Sequence, residues 1–193
     1  MISIAFIVST CNDADSLLTV LSSLNNQKLN EEIKMEVHIA DNSKTDLERA
    51  RTKKVCDLFN YTYHETHGKD CYPSAEEVVA TLKADYLCFP SSDGYYVPGF
   101  TITMLEVAHR LESDVIYCDC LYDPRLHGRG IYSVLNTFPE MRWIDKTCFI
   151  IKSSIFKGFP PHKDRWCDGQ LIEDLAKADY RLDKAKGVLG VHN

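Results

Sequence analysis

The chain has 193 residues, 45% of them hydrophobic and 26% charged, with a formal net charge of −6, which is the size of one ordinary domain with a proper core and the balance of a soluble globular protein. The acidic balance argues against a broad nucleic-acid partner, whose phosphate backbone calls for a basic face, while leaving room for a local basic pocket. The longest apolar run, residues 4–8, is far too short to span a bilayer and has no basic residues ahead of it, so neither a transmembrane segment nor a secretory signal is expected, and the eight cysteines are expected reduced in a cytoplasmic setting.

Residues 2–9 are rich in β-branched and aromatic side chains and predict a first strand. Thr10-Cys11-Asn12-Asp13 then ends the strand and caps a helix in which Leu17, Leu18, Val20, Leu21 and Leu24 recur at helical spacing. The unit repeats: residues 35–40 predict a second strand, and Asp41-Asn42-Ser43-Lys44-Thr45-Asp46 supplies turn formers and caps ahead of a charged helix over 47–59. Residues 60–64 read as a short third strand and 65–73 as a polar loop holding His67, Gly68 and Lys69, with Ser74-Ala75-Glu76-Glu77 as a capping box for a helix running to about Lys83.

The run 86–89 predicts a buried strand that stops at Pro90 and delivers Asp93 to its carboxyl end, the edge at which open α/β sheets bind ligands. Pro98-Gly99 opens an amphipathic helix through Leu111, and residues 114–119 predict a further strand. Residues 120–142 form a long stretch of turn formers, 146–152 a strand, 166–178 a helix and 188–192 a terminal strand. Strands alternating with helices predict an α/β fold with a Rossmann-like, mostly parallel central sheet and helices on both faces. No CxxC pairing is present, which argues against structural zinc.

Four strings carry a resemblance: Ile7-Val8-Ser9-Thr10-Cys11-Asn12, His38-Ile39-Ala40-Asp41-Asn42-Ser43, Asp85-Tyr86-Leu87-Cys88-Phe89-Pro90-Ser91-Ser92-Asp93-Gly94, and Cys167-Asp168-Gly169-Gln170. In this order they resemble family 2 glycosyltransferases of the GT-A fold, over essentially the whole chain. The resemblance implies a single GT-A domain over 1–193, with a nucleotide-sugar-binding half at 1–119 and an acceptor-binding half at 120–193. It implies a metal-dependent, inverting transfer of a sugar from a nucleotide-diphosphate donor, expected to be a UDP-sugar, to a hydroxyl of a glycan or glycoconjugate. The same resemblance leaves open that the chain is one domain of a longer product.

Residue by residue, Asp93 stands where the family's DxD-type motif places its metal-binding carboxylate, and His192 resembles the late histidine ligand of the same cation, Mn²⁺ or Mg²⁺. That cation would offset the charge growing on the departing diphosphate. Asp41 matches the acid that takes the donor base through its ring N–H, as uracil offers, with Ser9, Thr10, Asn12, Lys69 and Ser92 in the same nucleotide pocket. Ser91-Ser92 departs from the adjacent acids usual in the family, so a serine hydroxyl is expected to face the ribose. Asp168 matches the general base that deprotonates the acceptor, with Asp164 its nearest rival. Trp143 and Trp166 are candidates to stack on a sugar ring, and Arg125, His127 and Arg129 form a small basic cluster.

Two other readings stand beside this one. A non-catalytic sugar-nucleotide-binding module is encouraged by the thinned acidic motif at Ser91-Ser92. A nucleotidyltransferase would carry a glycine- and basic-rich loop after the first strand, whereas residues 9–15 hold neither glycine nor arginine.

Overall fold

The computed structural model describes residues 1–122, 133–161 and 166–192. In chain order the elements are β1 (Ile2–Thr10), α1 (Ala14–Asn25), β2 (Ile33–Asp41), α2 (Asp46–Phe59), β3 (Thr62–Glu65), α3 (Cys71–Val79), β4 (Tyr86–Cys88), β5 (Tyr95–Tyr96), α4 (Phe100–Leu111), β6 (Val115–Tyr122), β7 (Ser133–Leu135), β8 (Phe149–Lys152), α5 (Cys167–Lys177) and β9 (Leu182–His192). The strands form one sheet in the order β3-β2-β1-β4-β8-β6-β9-β5, with β7 added on β6.

β1 organises the first half. Its apolar run is buried on both faces, as a strand between parallel neighbours must be, and it pairs in parallel with β2 over nine residues and with β4. Successive side chains point to opposite faces. Ile4, Phe6 and Val8 therefore pack with Leu17, Leu21 and Leu24 of α1, Cys56 of α2 and Phe100 and Met104 of α4. Ala5 and Ile7 meet Ala75 and Val78 of α3 and Leu171, Ile172 and Leu175 of α5 on the other face. Helices thus cover both faces of a Rossmann-like parallel half, in keeping with the sequence.

The second half is of mixed direction. β8 is antiparallel to both its neighbours, β4 and β6. Its amino-terminal end therefore lies at the same sheet edge as the carboxyl ends of β1 and β4, which decides the composition of the site. β9 runs parallel to β6 and then also pairs antiparallel with β5. Between Lys184 and Val188 it gains two residues on β6, and Gly187 takes a left-handed φ of 106° within that slack.

Several predicted boundaries move. The third helix starts at Cys71 rather than at Ser74, because Asp70 caps it by accepting from the Tyr72 amide at 3.0 Å while the Ser74 hydroxyl donates to the Asp70 carbonyl at 2.8 Å. It ends at Val79, short of Lys83, where the Thr81 and Leu82 amides turn back to carbonyls three residues earlier. The predicted strand over 146–152 is split: Lys146–Cys148 is a single 3₁₀ turn capped by Asp145, and only then does β8 begin. β9 begins at Leu182, well before the predicted residue 188. Among the described residues no helix is long and apolar enough to cross a membrane.

Candidate functional site

A cavity of about 680 Å³ opens at the carboxyl edge of β1, β2 and β4. Ser9, Thr10 and Cys11 come to its wall from the end of β1, Asn42 and Lys44 from the turn after β2, and Ser91, Ser92 and Asp93 from the turn after β4. The start of α3 contributes Asp70, Cys71 and Tyr72. Because β8 is reversed, Asp145 and Lys146 reach the same wall from its beginning, and His192 arrives from the end of β9.

Local chemistry fixes these turns. The Ser9 hydroxyl donates to the Cys71 carbonyl at 2.9 Å, tying β1 to α3. Asn12, in the left-handed region at φ 54°, accepts from the Lys44 amide at 3.1 Å, and its own amide donates to the Ser43 hydroxyl at 2.8 Å. The Gly68 carbonyl accepts from Asn42 Nδ2 at 3.2 Å and so holds the loop that carries Lys69. A Cβ at Gly68 would lie 2.4 Å from the Ser74 backbone nitrogen. Gly68→Ala should therefore cost about 1–3 kcal/mol of stability, as overpacking against rigid backbone does, read as a lower midpoint in urea unfolding.

Asp93 and His192 leave one short ladder at neighbouring positions. Tyr95 of β5 pairs with Val191 of β9, and a Cβ at Gly94 would stand 3.2 Å from the Val191 carbonyl oxygen. His192 Nδ1 lies 3.2 Å from Asp145 Oδ2. Burial alone would lower the imidazole pKa, but the carboxylate of Asp145, followed by that of Asp93, outweighs it and holds His192 up to about 9. Asp145 is correspondingly held below the usual carboxylate range: burial raises it, and the facing imidazole more than reverses that. Asp93 moves up, chiefly through burial and against the opposing pull of His192, with Asp13 adding to the rise.

Asp13 is a functional candidate that the sequence disguises. It stands at the amino-terminal cap of α1, yet it makes no side-chain cap hydrogen bond. Its carboxylate instead accepts from the Ser92 hydroxyl at 2.8 Å on the cavity wall. The serine that stands where an acid is usual in the resembled motif is thereby joined to an acid from another loop. Asp145 had no sequence signal at all, since nothing in its spacing shows that the following strand is reversed.

Of the residues singled out in the sequence, Ser9, Thr10, Lys69, Ser92, Asp93 and His192 line the cavity. Asp41 and Asn12 do not. Asp41 is fully buried at the end of β2, where its carboxylate accepts from the Ser43 amide at 2.9 Å and the Tyr63 hydroxyl at 3.1 Å. Asp168, 5% exposed, lies behind the wall that its neighbour Cys167 lines, and accepts from the Lys146 amide at 2.8 Å and the Gly169 amide at 2.9 Å. Burial, and then the nearby Asp145, raise it to about 6. Trp143 and Trp166 are 50% and 37% exposed and stand outside the cavity lining, the first edge-on to Phe138 and the second beneath Arg142. Asp164, Arg125, His127 and Arg129 lie outside the described residues.

Among the described residues no three His, Cys, Asp or Glu side chains gather as a ready metal cage. The donor chemistry fits a cation shared with a substrate, which on binding would displace the proton of His192: one carboxylate, one imidazole, and a second carboxylate on the imidazole's Nδ1, the arrangement that orients a ligating histidine. Hard divalent cations that bind substrate phosphates typically take only one or two protein carboxylates.

No curated protein matches the chain. Several solved structures share its fold. Staphylococcus aureus TarS superposes with a TM-score of 0.75 at 15% identity, covering 100% of this chain and 37% of that one. TarS 1-349 in complex with UDP-GlcNAc gives 0.68 at 18% identity, covering 99% and 58%. A mannosyltransferase from Pyrobaculum calidifontis, in complex with GDP-Man and Mn²⁺, gives 0.76 at 15% identity, covering 98% and 56%. The chain thus spans between about a third and three fifths of these proteins' lengths. Residues 5–152, from the first strand through β8, match the sequence description of glycosyl transferase family 2. The parallel half-sheet, the turn that presents Asp93 and the reversed strand all fall within that match, and the chain belongs to glycosyl transferase family 2.

Proposed function

We propose that the chain transfers a sugar, with inversion, from a nucleoside-diphosphate donor to a hydroxyl acceptor, and that it uses a divalent cation to do so. The observation that carries this reading is the convergence of Asp93 and His192 on one cavity wall with Asp145 on the imidazole. Asp93 and His192 would hold the cation, Mn²⁺ or Mg²⁺, which supplies charge compensation to a departing diphosphate. Thr10, Asn42 and Lys69 would line the nucleotide, while Asp41 and Asn12 act one step back by fixing the Asn42–Lys44 turn. The Asp13–Ser92 pair would meet ribose hydroxyls: the carboxylate accepts from them, and so does the serine oxygen, whose own proton is given to Asp13. Asp168 would take the acceptor's proton once its carboxylate is turned toward the cavity.

A UDP-sugar is the preferred donor within this reading. Structurally similar proteins hold UDP-GlcNAc in one case and GDP-Man with Mn²⁺ in another, which supports the donor class and the cation rather than the base. Titration of UDP and GDP in Mn²⁺ and in EDTA tests both points: UDP should bind more tightly than GDP, and EDTA should weaken it about tenfold or more, a loss of about 1.4 kcal/mol. Equal binding of UDP with and without cation would remove the cation from the proposal.

One observation favours a second reading, a sugar-nucleotide-binding module without catalysis: Asp168 is buried with both oxygens engaged. Slow hydrolysis of a UDP-sugar by the chain in Mn²⁺ separates the two, since a module that only binds releases no UDP.

A further inference from the structure

Among the described residues Lys146 is the one basic side chain of the cavity wall that is almost wholly enclosed. It is 8% exposed, sits in the 3₁₀ turn before β8, and still lines the cavity. Its ammonium lies 5.6 Å from the centre of the Tyr72 ring, against the aromatic face rather than against a carboxylate. Among the described residues it forms neither an ion pair nor a side-chain hydrogen bond, although Asp93, Asp145 and Asp168 are all in its neighbourhood. Desolvating an ammonium costs several kcal/mol unless an anion answers it. A buried lysine that lines open volume, near Asp93 and Asp168 but hydrogen-bonded to neither, keeps its donors for a ligand. Lys44 and Lys69 line the same cavity from the opposite loops, so among the described residues three lysines border one opening in a chain of net charge −6.

We propose that Lys146 is a diphosphate-holding residue, its ammonium donating to the phosphate oxygens of a nucleoside diphosphate lodged between the turn after β4 and the start of β8. The inference rests on the donor class proposed above. It adds a fixed protein cation on the departing group, independent of any metal. A lysine suits this duty because its three donors act as a point charge on a phosphate, and the Tyr72 ring holds the stem without neutralising it. The placement also explains why Asp145 and Lys146 are adjacent: the first is committed to His192, and the second stays available to an anion.

The test is binding of inorganic pyrophosphate to the full chain in EDTA, so that no divalent cation contributes, comparing wild type with Lys146→Met, Lys146→Gln and Lys146→Arg. Pyrophosphate affinity should fall about 10- to 100-fold in the methionine and glutamine variants, as expected for losing a charge-assisted contact, and should be largely restored in the arginine variant. Equal pyrophosphate affinity in wild type and the two neutral variants, or no pyrophosphate binding by wild type, would overturn the proposal. Competition with UDP and GDP separates it from the donor reading. Displacement of bound pyrophosphate supports both, whereas Lys146-dependent pyrophosphate binding that neither nucleotide displaces retains the anion site and sinks the nucleoside-diphosphate donor.

Discussion

Asp93→Asn should lower sugar transfer by about 10³-fold in saturating Mn²⁺, the scale on which one preorganised electrostatic contact to a developing charge acts, and should do so without unfolding the protein. The amide keeps the shape of the side chain in the turn where the Gly94 amide donates to the Ser91 carbonyl at 3.2 Å, but it removes the negative charge that a divalent cation requires. The stability response runs the other way. Burial raises the Asp93 pKa, so the folded state binds a proton more readily than the unfolded chain, and an ionised Asp93 at neutral pH costs stability when no cation is bound. The variant should therefore melt at or above the wild-type temperature in EDTA while losing activity in Mn²⁺. Opposite movements of activity and stability mark a residue kept for function rather than for packing. Retention of full activity by a folded Asp93→Asn protein would remove this carboxylate from the chemistry.

Asp168→Asn should lower kcat by about 10²–10⁴-fold, the usual contribution of a positioned base, and should leave UDP affinity within about twofold, because Asp168 does not line the cavity proposed for the donor. A base acts in its ionised form. With the folded pKa raised to about 6 by burial and by Asp145, the group is protonated and idle below that pH and ionised above it, so wild-type kcat should climb with pH through about 6 and then level off. The asparagine variant should lack that limb. For the carboxylate to reach an acceptor, the start of α5 must shift enough to loosen the bonds from the Lys146 and Gly169 amides, and Gly169 has little room, since a Cβ there would meet Met141 Cα at 3.0 Å. An unchanged pH profile in Asp168→Asn would pass the role of base to another residue.

The parts of the fold that the sequence makes legible are those with long, regular patterns. β1 shows an unbroken apolar run, β2 alternates apolar and polar residues up to Ala40, and α1 and α4 show clear helical spacing, because each buries a whole face in the core. β5 has two residues and β7 three, too few for a period to declare itself. The first six residues of β9 include Asp183, Lys184 and Lys186, whose charges mask a strand held by pairing with β6. In the site the same contrast holds. Asp93 and Thr10 are visible because a strand end in a parallel half-sheet points to them, whereas Asp145 and Lys146 come from a strand whose direction only the tertiary structure reveals. Asp41 is placed correctly at the end of β2, but Ser43 and Tyr63 claim its carboxylate, and no local pattern announces that.

The eleven residues of β9 tie two parts of the site to one strand. One continuous segment clasps β6 along its flank, secures the two-residue β5 at its far end, and finishes in the imidazole beside Asp145. Any shift of that segment along β6 would move His192 and the β5 turn that presents Asp93 together, so the two would be displaced as one unit.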